Sequence, residues 1–240
     1  MWFEKIQKVQ IVLLAIILAF GLVFAVKTGT GLLSNDKISV TGSAYKIVKS
    51  DSARLEFEIT SRNANKQSAF NTVKTQLPIV KKYLTDKGLT DIEIKASNGY
   101  YSYKYLPNGT MTNDIAYYNL SQPITVKSND VQKIKDVSAD IQSLLEKGID
   151  INIINTDYFY SGLSDLKVEL LKDATTDAKD RATAMLKATH NRPGKIQAVN
   201  MGVFQITPVD STNVSDMGIN DTTSIDKKVT AVANVVFRIK

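Results

Sequence analysis

"YLTDKGLTDIEIKASNGYYSY", Tyr83 to Tyr103, and "LLEKGIDINIINTDYFYSG", Leu144 to Gly162, share one plan. Each closes a helical pattern with Lys-Gly, runs into an Ile-x-Ile alternation and ends in spaced tyrosines. Lys87-Gly88 matches Lys147-Gly148, Ile92 and Ile94 match Ile151 and Ile153, and Tyr101 and Tyr103 match Tyr158 and Tyr160. Glycine ends a helix because it adopts positive φ freely, and period-two alternation marks a strand with one wet face. A further strand-like run, "LEFEITS" or "PITVKS", precedes each copy. The economical reading is two strand-helix-strand units joined by right-handed crossovers onto a sheet. The competing reading is coincidence, since any such unit needs a glycine stop.

Three helices follow from spacing. "NKQSAFNTVKTQLPIVKKYLTDKG" puts Phe70, Val73, Leu77, Val80 and Leu84 on one stripe, with a kink expected at Pro78. "DVQKIKDVSADIQSLLEKG" does the same with Val131, Ile134, Val137, Ile141 and Leu145. "DLKVELLKDATTDAKDRATAMLKAT", Asp165 to Thr189, predicts a long third helix. Ser164 is its expected N-cap, and His190, Asn191 and Pro193-Gly194 form its stop. Its stripe is Leu163, Leu166, Leu170, Ala174, Ala178, Ala182, Met185 and Thr189. Small side chains let a helix approach its neighbour closely, so this stripe is read as packing on the sheet or on another helix. The sharper alternative is an assembly face of Ala174, Ala178 and Ala182 against a second subunit.

Strands are expected around Ile38 and Val40, around Leu55, Phe57 and Ile59, and in "GKIQAVNMGVFQITPV" and "KKVTAVANVVFRIK". Between the last two lies a polar loop, Asp210 to Asp226. The fold class is therefore α+β: two strand-helix-strand units plus a long third helix packed on an antiparallel or mixed sheet. An N-terminal transmembrane or signal helix precedes it.

That leading segment is "MWFEKIQKVQ" followed by "IVLLAIILAFGLVFAV", with Lys5 and Lys8 ahead of an apolar run. A basic flank before such a run is an export signature, with the positive end kept in the cytoplasm. Spanning residues are Ile11, Leu14, Ile17, Phe20, Val23 and Val26. Sixteen helical residues rise about 24 Å against a hydrocarbon core of about 30 Å, so an uncleaved anchor and a cleaved signal peptide both stay open. The organisation read is 1–26 anchor or signal, 27–37 linker and 38–240 folded domain.

The chain has no cysteine and one histidine, His190, which excludes disulfides, thiolate metal sites and chemistry that needs two imidazoles. The net charge of +6 is spread along the sequence, with lysines alternating with acids, so no nucleic-acid partner is expected. No nucleophile elbow, phosphate loop or dinucleotide fingerprint occurs. No catalytic residue, cofactor or metal is assigned. Asp210, Asp216 and Asp221 in the polar loop fit no calcium-loop spacing. The tyrosines are read first as cross-strand stacking. Tyr101, Tyr103 and Tyr117 form the alternative, a ligand face for a glycan, a peptide or another ligand not identified.

"ISVTGSAYKIVKSDSARLEFEI", "YYNLSQPITVKSNDVQKI", "YFYSGLSDLKVELLKDATTDAKDRATAML" and "GKIQAVNMGVFQI", together with the export segment, resemble the SIMPL domain family over Ile38 to Ile239. Where that family often has Pro-Asp between its first two strands, this chain has Ser50-Asp51. The resemblance implies a mixed α+β fold, a bacterial envelope location and a tendency to oligomerise, including into rings. It also implies, for some members, links to oxidative or envelope stress, and it implies no catalytic residues. The expected function is a non-enzymatic, self-assembling protein tethered to the cytoplasmic membrane and facing the periplasm, or secreted there if the signal is cut. The alternative is a monomeric periplasmic binding module.

Overall fold

A computed structural model describes residues 14–26 and 36–240. Residues 14–26 are helical, and the apolar side chains of Leu14, Ile17, Phe20, Val23 and Val26 are all exposed. Ile11 lies outside the described residues. Among those described, no helix is long and apolar enough to cross a membrane.

The domain begins with two long strands in immediate succession, β1 (Lys37–Lys49) and β2 (Ser52–Asn63). β2 leads to α1 (Lys66–Asp86), then to β3 (Asp91–Ile94), β4 (Asn98–Tyr105) and β5 (Met111–Ser128). α2 (Val131–Asp140) continues as a 3-10 segment (Ile141–Lys147) into β6 (Asp150–Phe159). α3 (Leu163–Lys187) then leads to β7 (Pro193–Met201), β8 (Gln205–Pro208), β9 (Ile219–Asn220) and β10 (Asp226–Ile239).

The two sequence-related units interleave. In the first sheet the order is β3-β5-β2-β6, with β4 also on β5, and every pairing is antiparallel. The strands that a helix joins never pair with each other: β5 separates β2 from β3, and β2 separates β5 from β6. This is the split β-α-β-β-α-β arrangement of ferredoxin-like domains. Leu55, Phe57 and Ile59 alternate inward from β2 and meet Leu84, Ile124, Ile134 and Ile141 in one core. The opposite face of β2 carries Arg54, Glu56, Glu58 and Thr60 toward solvent.

Both helix stripes differ from expectation at one position. On α1, Ala69 is buried and Phe70 is 43% exposed, because Ala69 packs with Val73 and Leu120. After α2, Leu144 is buried and Leu145 is 60% exposed. The 3-10 segment turns every three residues, so the stripe from Ile141 falls on Leu144 where an α-helix would place it on Leu145. α1 runs unbroken through Pro78.

The second sheet has the order β1-β10-β8-β9, with β7 also on β10. β7 and β8 lie end to end along the same side of β10, pairing with Ala233–Ile239 and Lys227–Thr230 respectively. α3 covers one face. Leu166, Leu170, Ala174, Ala178, Ala182 and Leu186 are its buried residues, whereas Met185 is 59% exposed. The stripe thus keeps a strict four-residue step to its end. Its middle rests on Gly42 of β1, where an added Cβ would collide with Ala174 O and Ala178 N and lie 2.8 Å from Ala178 Cα. Ala231 and Ala233 of β10 complete the seam. Small residues on both partners bring the helix backbone down onto the strand.

The ends of α3 are fixed by neighbours. Gly162 is the N-cap in place of Ser164 and has no side-chain cap bond. Just ahead of it, the Ser161 hydroxyl donates to Asp51 Oδ2 at 2.6 Å. At the other end, the N–H of Asn191 donates to Leu186 O (3.0 Å) and that of His190 to Lys187 O (3.2 Å), with His190 at φ 59°. This is a Schellman cap with histidine where glycine is usual.

Candidate functional site

Ala174, Ala178 and Ala182 are each 0% exposed beneath β1 and β10. The stripe packs inside the chain and offers no surface to a second copy.

The tyrosines sit on the β4–β5 hairpin, whose turn uses Gly109 at φ 82° with the Gly109 N–H donating to Leu106 O at 2.9 Å. Register sorts them onto opposite faces. Tyr101 stands opposite Tyr118, and its ring lies 5.3 Å from that of Tyr103 and 6.4 Å from that of Tyr118. Tyr117 is one residue from Tyr118 and so points the other way, where the Arg62 guanidinium covers its ring at 4.4 Å. Tyr101 and Tyr103 therefore share a face that Tyr117 does not, and the three do not make one ligand surface.

The polar loop is anchored where the sheets meet. The Tyr158 N–H donates to Thr222 O at 2.7 Å, and the Thr222 hydroxyl to Asp157 Oδ1 at 2.8 Å. Arg54 Nη2 donates to the other Asp157 oxygen at 2.9 Å. Lys227, only 3% exposed, donates to Asp221 O at 2.7 Å and has Asp221 Oδ2 at 3.7 Å. Burial pushes the Lys227 ammonium below its ordinary range, and Asp221 and Asp157 offset part of that. Burial alone would raise the Asp221 carboxyl, but hydrogen bonds from Thr223 and Ser224 and the Lys227 charge hold it below the usual carboxylate range. Exchanging a buried pair for apolar residues is often neutral, whereas removing one partner strands the other charge. The three loop aspartates disperse: Asp221 joins this buried pair, while Asp210 and Asp216 are exposed. Among the described residues, no group of three or more His, Asp or Glu is placed to hold a metal ion.

The edges of the second sheet differ. β1 is guarded: the Ser43 N–H donates to Asp177 Oδ2 at 2.8 Å, and Lys46 pairs with Glu169 at 2.8 Å, both acids coming from α3. Among the described residues, β7 has a ladder partner on one side only. Ile196, Val199 and Met201 stand opposite the buried Phe237, Val235 and Ala233, yet are 50%, 46% and 62% exposed. They continue the core face of the sheet past the cover of α3. An apolar edge strand of this kind is a template for pairing with another chain. Sequence reading missed it, since "KIQAVNM" shows alternation but not which strand it leaves unpaired.

These features define an α+β domain of two helix-covered sheets linked by a short extended crossing. The chain belongs to the SIMPL family, proteins of unknown function (DUF541), whose family model matches residues 38–237. No curated protein matches the chain.

Proposed function

We propose that this SIMPL protein is a non-enzymatic component of the bacterial envelope, tethered to the cytoplasmic membrane with its domain in the periplasm, and that it works by associating with further copies of itself through β7. The exposed strip of Ile196, Val199 and Met201 on an unguarded edge carries this reading. Antiparallel pairing of β7 with β7 of a second copy would satisfy the free edge and bury the strip, a self-complementary contact. The tether rests on the basic flank and apolar run, whose described helical part exposes its apolar side chains. Service under envelope or oxidative stress is the setting that the family resemblance offers.

Light scattering of the full chain in a non-ionic detergent, across a concentration series, tests the association. The wild type should show a discrete multiple of the monomer protein mass, and Val199→Lys should return it to monomer with an unchanged circular dichroism spectrum. A wild-type monomer at every concentration, or an assembly indifferent to Val199→Lys, would end this reading.

A further inference from the structure

Basic residues are spread along the sequence, but strand pairing gathers Lys37, Lys187, Arg192, Lys195, Arg238 and Lys240 at one end of the second sheet. The β1–β10 ladder opens with Lys37 opposite Arg238. β7 starts at the same place, with Pro193 opposite Ile239. Just beyond that rung Arg192 and Lys240 exchange backbone hydrogen bonds, each N–H donating to the other's carbonyl at 2.9 Å. The Lys240 side chain runs past Gly194, where an added Cβ would come within 3.0 Å of its Cγ. α3 finishes just ahead, so Lys187 of its last turn and Lys195 of β7 flank the same end.

Little opposes this charge. The sequence has no Asp or Glu from 181 to 209 or after Asp226, and Asp36 is the one acid in the converging segments. Elsewhere exposed lysines are matched: Lys46 by Glu169, Lys82 by Asp86 and Lys87 by Asp140. Among the described residues, Lys37, Lys187, Arg192, Lys195 and Lys240 are exposed and none is held in an ion pair. Such groups donate only, and the guanidinium fork matches the oxygens of a phosphate.

The place of this end in the chain names the anion. With the tether proposed for this protein, the apolar run closes at Val26 and the domain begins at Lys37, which leaves ten residues, 27–36, between them. Fully extended they reach at most about 35 Å, so the basic end is kept beside the bilayer. We propose that it docks on anionic phospholipid headgroups of the membrane that holds the tether, an inference that rests on the proposed tether. Lys37, Arg192, Lys195 and Lys240 donate to phosphate oxygens, and the negative surface potential draws the end down. Each Lys or Arg brought to an anionic surface raises the affinity by about fivefold. The tether makes the contact intramolecular, so a few such groups suffice. The two-fold axis of a β7 pair can stand along the membrane normal, which lets both copies reach one bilayer.

The full chain in lipid nanodiscs tests this, with discs of phosphatidylcholine alone and discs in which about one lipid in three is phosphatidylglycerol. Co-purification with both kinds reports the tether, and acetylation rates of single lysines, read by mass spectrometry, report the docking. Lys37, Lys195 and Lys240 should react at least about threefold more slowly in the anionic discs. Lys82 on α1 should react equally fast in both. Salt at about 1 M, where the screening length is about 3 Å, should erase the difference. Arg192→Glu combined with Lys240→Glu keeps the backbone bonds and should return Lys37 and Lys195 to the phosphatidylcholine rate, with circular dichroism unchanged. A chain that stays with both kinds of disc but reacts at equal rates would overturn the docking and leave the tether standing. Retention by anionic discs alone would keep the docking and remove the tether, and retention by neither would end both. Equal protection of these lysines by a DNA duplex added to phosphatidylcholine discs would mean an unselective polyanion site and would overturn the proposal as well.

Discussion

Two helix–sheet seams hold this domain together, and they are built on opposite rules. Beneath α1 and α2, bulk fills the space: Phe57, Ile59, Leu84, Ile124 and Ile134 interdigitate. Beneath α3, Gly42, Ala174, Ala178, Ala182, Ala231 and Ala233 remove the space instead. A seam filled by large side chains fails when one is cut away and leaves a cavity. A seam closed by small ones fails when anything is added, because the obstacle is backbone and cannot rotate aside. The two halves are therefore most sensitive to opposite changes of volume, addition under α3 and removal under α1 and α2.

Gly42→Val should have the largest effect. Its side chain would meet Ala174 O and the backbone of Ala178, so α3 must lift from β1. A loss of more than about 5 kcal/mol, read as no cooperative thermal transition, is expected. Phe57→Ala tests the bulky seam in the other direction. Phe57 is fully buried, and its truncation should lower stability by about 3–5 kcal/mol in urea unfolding. Should Gly42→Val be tolerated, or Phe57→Ala cost nothing, the contrast between the seams would collapse.

A smaller effect distinguishes the bulky seam by pH. Where α1 meets α2, the Tyr83 hydroxyl donates to Asp140 at 2.8 Å and Lys87 pairs with the same carboxylate at 2.9 Å. Burial and then the Asp140 bond push the Tyr83 phenol well above its ordinary 10.0. A raised acid in the folded state contributes stability that is fully present below pH 10.0 and is lost as pH rises above it, since the unfolded phenol ionises first. The urea midpoint should therefore fall between about pH 10 and 11.5 more steeply in wild type than in Tyr83→Phe. Parallel curves would remove Tyr83 from this account. The smallest effect belongs to the end of α3, where His190→Gly relieves a left-handed backbone and should stabilise by about 1 kcal/mol. A destabilisation there would mean that the histidine side chain contributes a contact beyond the cap.

Periodicity made much of this legible. The alternation at Leu55, Phe57 and Ile59, the four-residue alanine step and the Lys-Gly stops all mark real elements, because side-chain period is set by local backbone geometry. Where two neighbouring positions could each continue a stripe, the reading slipped by one residue. Leu145 was expected inside, but the 3-10 turn buries Leu144. Met185 was expected inside, but the stripe buries Leu186. Features that depend on which strands pair were not legible. Tyr117 parts from Tyr101 and Tyr103 only through the β4–β5 register, and the bare edge of β7 depends on sheet order.

The first rung between β1 and β10 joins Lys37 to Arg238, and the Ile239 N–H donates to Asp36 O at 2.9 Å. The domain begins at that rung. Its hydrogen bonds lie across the strands, so tension between Asp36 and the adjoining end of β10 at Ile239 would load them one at a time, as in opening a zip. Gly42, five residues along, is where such a peel would meet α3 clamped onto the strand. The narrow seam is thus a mechanical stop, placed so that tension applied at Asp36 frays a few residues and goes no further.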